Sequence, residues 1–89
     1  MEREKHYRIN SEKVVWRNID GEAVILDLDS GYYYRLNPTG TAIWQMLEEY
    51  KKPEQIIKKL AQEYSLSEEK TEKDFFDLIA DLKKDKLVN

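Results

Sequence analysis

The 89-residue sequence has no cysteine, one histidine, three glycines and two prolines. Without cysteine there is no disulfide frame, thiolate nucleophile, Cys-ligated zinc or iron–sulfur cluster. The lone histidine, His6, cannot build a multi-histidine metal site, and in the lead-in segment it reads as plain surface rather than half of a Ser–His pair. Gly21, Gly31 and Gly40 are isolated, so no glycine-rich loop is present to cradle phosphate. No apolar run approaches the roughly 18 residues of a membrane span. The first six residues, Met-Glu-Arg-Glu-Lys-His, lack the apolar stretch of a signal peptide, which makes the cytoplasm the default compartment. Charge of one sign is scarce as well. Lys and Arg number 15 against 18 Asp and Glu, a net charge of -3 spread evenly along the chain. A phosphate-binding surface needs a basic patch, and no third of the chain supplies one.

What is present fits one small domain over residues 1–89, with residues 1–11 a loosely attached lead-in. Hydrophobic residues make up 40 % of the chain, enough for a modest core with little mass left for a deep catalytic cavity. Val14 to Ile19 is β-branched and aromatic, Asp20-Gly21 follows, and Ala23 to Leu28 continues. Asp-Gly between two such runs signals a hairpin. Asp29-Ser30-Gly31 makes a second turn into a third strand, Tyr32 to Leu36. Asn37-Pro38 then opens a helix, with Asn as N-cap and Pro at the first helical position. Ile43, Trp44, Leu47 and Tyr50 follow at helical spacing. Pro53 opens a second helix with Ile56, Ile57, Leu60, Ala61 and Tyr64 on its apolar face. Ser67 caps a third, running to about Lys84, with Phe75, Phe76, Leu78, Ile79 and Leu82 as its stripe. The fold class is α+β: a three-stranded antiparallel sheet followed by three helices, winged-helix-like in order.

Candidate chemistry is sparse. Asp27 and Asp29 could act as an acid–base pair or hold a cation, but a polar strand end leading into a Ser-Gly turn explains them. Thr39-Gly40-Thr41 at a helix start could hold an anion, though capping and close packing account for it. A DNA-binding winged helix is disfavoured because the third helix opens Glu68-Glu69-Lys70-Thr71-Glu72-Lys73-Asp74, repulsive toward a polyanion. Trp44, Phe76, Tyr50 and Tyr64 read as core aromatics. Tyr32-Tyr33-Tyr34 differs, because strand side chains alternate faces and three successive rings cannot all point inward. If Leu36 faces the core, Tyr34 and Tyr32 share its side, while Tyr33 and Arg35 face away. This strand is last in the meander, hence an edge with free backbone groups unless another strand covers it. An aromatic edge strand beside a helix suits an extended peptide.

Gly31 through Leu36-Asn37-Pro38-Thr39-Gly40 to Ile43-Trp44 and Leu47 resembles the hallmark of the PqqD-like family. Asp74-Phe75, Leu78-Ile79, Leu82 and Leu87-Val88 are similar to the family's third helix and terminal Leu-Val. Lys86 stands where a glycine is common. The resemblance implies a RiPP recognition element, a non-catalytic, cofactor-free and metal-free domain that binds the leader of a ribosomally made precursor peptide. It implies strand addition to Tyr32, Tyr33, Tyr34, Arg35 and Leu36, in a groove walled by the third helix. On that helix Thr71, Asp74 and Leu78 form one flank and Phe76 and Ala80 the other, with Phe75 between. Following the family's pattern, Asp74, Phe75 and Leu78 are the expected groove residues. The form of the motif looks most like the free-standing leader-binding proteins of lasso peptide systems, which partner a leader peptidase and a cyclase. Peptide chaperones of radical-enzyme or quinone-cofactor pathways, a winged-helix regulator and a self-pairing module are the alternatives. A monomer free of nucleic acid and membrane is expected.

Overall fold

The computed structural model describes residues 5–89, and residues 1–4 of the lead-in lie outside them. Three strands, β1 (Val14–Ile19), β2 (Glu22–Asp27) and β3 (Tyr33–Arg35), precede three helices, α1 (Pro38–Glu48), α2 (Pro53–Glu63) and α3 (Glu68–Lys84). The sheet is antiparallel in the order β1-β2-β3, leaving β3 at an edge. Asp20 and Gly21 both take positive φ (53° and 84°), as a primed two-residue turn requires. The Asn18 side chain steadies that turn by accepting from the Gly21 N–H at 2.9 Å.

Strand alternation decides what the sheet buries. Val14, Ala23 and Ile25 face the helices and join the core, whereas Val15, Ile19 and Tyr33 face solvent. Trp44 and Phe75 are the largest fully buried side chains, packed among Ile25, Leu47, Ile56, Ile57, Leu60 and Leu87. Fully burying an aliphatic or aromatic side chain of this kind contributes about 1.5–3 kcal/mol. Trp44 meets Trp16 edge-on, with ring centroids 6.2 Å apart and planes at 83°.

Helix starts follow the sequence signals. Asn37 Oδ1 accepts from the Gly40 N–H at 2.7 Å, and Ser67 Oγ accepts from the Lys70 N–H at 3.1 Å. Close packing requires Gly40. A Cβ there would stand 3.2 Å from Asn37 Oδ1 and 3.3 Å from Leu36 Cβ. Thr41 locks α1 to the sheet, since its Oγ1 accepts from the Ala23 N–H at 2.7 Å and donates to the Leu36 carbonyl at 3.3 Å. At the far end, Lys86 takes φ 60°, the left-handed region that favours glycine. This accounts for the glycine usual at that place in the family; here lysine adopts the same turn.

Two expectations change. From Tyr7 onward the lead-in is docked: Tyr7 is 3 % exposed, Ile9 bridges to Val88, and the Asn10 N–H donates to the Leu87 carbonyl at 2.9 Å. Tyr7 packs edge-on against both Phe75 and Phe76. Tyr50 and Tyr64 are exposed rather than core. Each lies just past the end of its helix, Tyr50 at φ 61° and Tyr64 as the α2 C-cap, where the helical face no longer governs direction.

Candidate functional site

The free edge of β3 is defined by its hydrogen bonds to β2. The Leu36 N–H donates to the Ala23 carbonyl, and the Asp27 N–H donates to the Tyr32 carbonyl, both at 2.9 Å. Tyr34 pairs with Ile25 between them. In an antiparallel ladder such pairs alternate, so Tyr32, Tyr34 and Leu36 face β2 with their backbone groups. The N–H and C=O of Tyr33 and Arg35 therefore point to the open edge. Side chains alternate in step: Tyr34 and Leu36 are half-buried on the helix side, while Tyr33 (70 % exposed) and Arg35 lie on the outer face.

Where β3 runs on through Asn37 into α1, one flank of α3 faces the start of that helix. Asp74 and Leu78 line a concavity of about 380 Å³ with Asn37, Thr39, Gly40, Ile43 and Leu66. The Asn37 cap and the Thr41 anchor fix the start of α1 as one wall, and α3 supplies the other. Asp85, the α3 C-cap, comes close to the Tyr34 hydroxyl. Burial first, then the nearby Asp85 and Asp27 charges and the phenol's interaction with the Asp85 carboxylate, pushes the Tyr34 phenol above its ordinary value of 10.0. The opposite flank of α3 is occupied, with Phe76 and Lys83 both against the Tyr7 ring.

The expected site residues thus separate. Tyr33, Tyr34, Arg35 and Leu36 form the edge and its two faces, and Asp74 and Leu78 line the concavity at the start of α1. Tyr32 is 70 % exposed at the strand entrance. Phe75 departs from expectation: it is 0 % exposed, its ring held between the core, Tyr7 and Phe76. A residue at the centre of a helical stripe points into the core, and only its flanking neighbours reach the groove. A Phe75→Asp chain would bury a charge and report on folding, not on the groove.

The second turn is built by Asp27, 4 % exposed. Its Oδ1 accepts from the Asp29 N–H at 3.0 Å and the Ser30 N–H at 3.4 Å. Lys13 Nζ lies 3.7 Å from Oδ2 and donates to the Asp85 carbonyl at 2.7 Å, so one ammonium ties the β2–β3 turn to the end of α3. Burial pulls the Asp27 carboxyl upward, but hydrogen bonds from Ser30 and Asp29 together with the Lys13 charge outweigh it and hold the group below 3.8. Sequence spacing singled out Asp27 but could not identify Lys13, which arrives from before β1. Among the described residues no three His, Cys, Asp or Glu side chains gather as a metal site, and no helix is long and apolar enough to cross a membrane.

Comparison with known proteins places this geometry in a family. Residues 22–88 match the family described as Coenzyme PQQ synthesis protein D (PqqD), and the chain belongs to that family. No curated protein matches the chain. Two solved structures share its fold. TbiB1 in complex with the TbiA(beta) leader peptide superposes with a TM-score of 0.87 at 36 % identity, covering 92 % of this chain and 94 % of that one. Lasso peptide synthetase B1 complexed with the leader peptide also gives 0.87, at 27 % identity, covering 96 % of this chain and 99 % of that one.

Proposed function

We propose that this protein binds the leader of a ribosomally made precursor peptide as a fourth strand on the β3 edge, against the Asp74–Leu78 flank of α3. It presents the leader to partner enzymes and makes or breaks no bond itself. A lasso peptide pathway, with a separate leader peptidase and cyclase, is the setting the reading favours, and the working unit is a monomer. The supporting observation is the unpaired edge. Tyr33 and Arg35 turn their N–H and C=O groups outward, a concavity lined by Asn37, Asp74 and Leu78 opens where β3 gives way to α1, and the two solved proteins of the same fold each hold a leader peptide.

Each backbone hydrogen bond would contribute about 0.5–1.5 kcal/mol net, and each buried apolar leader side chain about 1.5–3 kcal/mol. Ordering the leader costs about 2–5 kcal/mol, before the association penalty. The balance is on the order of −8 kcal/mol, a micromolar complex.

The test is calorimetric titration with the leader segment of the precursor encoded beside this chain. Tyr33→Pro removes an N–H that faces the open edge and spares the β2 ladder. Leu78→Asp places a second carboxylate beside Asp74 in the wall. Each should weaken binding by tenfold or more, with circular dichroism unchanged. Full affinity in both variants would sink the edge-and-wall reading.

A further inference from the structure

Resting on that reading, an added strand must straddle two surfaces of opposite charge, the outer face of the sheet and one flank of α3. On the outer face Arg17, Val24 and Arg35 stand in one cross-strand row, since Arg17 pairs with Val24 and Val24 with Arg35. Arg35 has one loose partner, Glu22 at 3.7 Å, and Arg17 has no ion pair among the described residues. On the groove side the α3 wall is acidic. Asp74, Leu78, Asp81 and Asp85 recur every three or four residues, so they share one flank. Asp74 is matched by Lys70 at 3.2 Å, and Asp85 lies beside the Tyr34 phenol. Asp81 carries no ion pair among the described residues, and the Lys13 ammonium nearby is committed to Asp27 and to the Asp85 carbonyl.

The hydrogen-bond phase fixes how a leader meets these charges. Its residues paired with Tyr33 and Arg35 put their side chains on the outer face, and the residue between them, opposite Tyr34, points to the α3 wall. We infer that the leader segment bound here alternates in charge, with an acidic side chain beside Arg35 on the sheet face and a basic one at the adjacent position facing Asp81 on the helix wall. Backbone pairing alone is nearly blind to sequence, so this alternation is where discrimination between leaders arises. Opposite-charge neighbours favour the correct strand, and like charges reject the wrong one.

The experiment uses the full ¹⁵N-labelled chain and two acetylated ten-residue synthetic peptides. One carries Asp-Lys-Asp-Lys at its centre and the other Asp-Asp-Thr-Lys-Lys, with threonine and valine elsewhere in both. The alternating peptide can slide by one residue to find the favoured phase; in the block peptide the threonine parts the acids from the lysines, so no acid and base occupy adjacent positions and both faces cannot be satisfied together. We expect the alternating peptide to shift the Tyr33 and Arg35 amides and to bind at least threefold tighter than the block peptide. Replacing its Lys by Gln should cost about threefold against the native chain and nothing against Asp81→Asn. Replacing its Asp by Asn should do the same with Arg35→Gln as the partner. Equal binding of the two peptides, or losses unchanged by the protein variants, overturns the charge alternation while leaving strand addition intact. If neither peptide moves these amides but the precursor leader does, the alternation is again overturned and the leader reading stands. If the leader fails as well, both fall.

Discussion

Asp27 shows what a turn carboxylate does. Read as a polar strand end rather than half of an acid–base pair with Asp29, it spends its two oxygens on backbone N–H groups of the turn and on Lys13. Its carboxyl is held below the ordinary value of 3.8, so it binds its proton less readily folded than unfolded. The stabilisation is therefore complete above the unfolded pKa and is lost as pH falls through the lower folded value. An Asp27→Asn chain should melt at lower temperature than the native chain at pH 7, and the gap should close toward pH 3. Thermal melts followed by circular dichroism across that range check this; a gap independent of pH would count against the ionised turn. Phe75 is the converse case. Its type and position pointed to the groove, but apolar periodicity identifies a buried stripe without saying where the stripe stops being surface. That boundary depends on what packs beside the helix, here Tyr7 from far away in sequence.

Elements were the most legible scale, because their ends are written in residues with a local mechanism. Asn37-Pro38, Pro53 and Ser67 open the three helices where capping chemistry requires, and Asp20-Gly21 makes the hairpin turn its φ values demand. The third strand is shorter than the tyrosine run suggested: Tyr33–Arg35 are strand, while Tyr32 and Leu36 each keep one backbone bond to β2. The α1 cap has a second duty, since Asn37 also lines the concavity. Removing it with Asn37→Ala should cost about 0.5–2 kcal/mol by urea denaturation. Because the cap sets the wall opposite Leu78, leader affinity should also fall. Unchanged stability in that variant would mean that water replaces the cap fully.

At the scale of the whole molecule, the order of three strands and three helices was readable, and so was the exposed edge. Which flank of α3 faces that edge was not, because helical geometry alone allows either. The segment around Tyr7 fills the Phe76 flank, whereas Asp74 and Leu78 line the concavity at the start of α1. The lead-in carries no periodic pattern, and a single aromatic residue between charged ones gives little sign of docking. Its partners, Phe75, Phe76, Leu87 and Val88, all lie at the other end of the chain.

The bridge from Ile9 to Val88, with the Asn89 N–H donating to the Arg8 carbonyl at 2.8 Å, gives the covalent chain a clasp. Fraying of either end must open the same contacts, so the two ends are expected to behave as one cooperative unit. The Asn10 and Asn89 amides, donors in the clasp, should exchange with deuterium at matched rates, and Ile9→Ser should accelerate both. Independent rates would show that the clasp closes nothing. The clasp thus ties the segment before β1 to the turn that follows α3, two stretches nearly eighty residues apart.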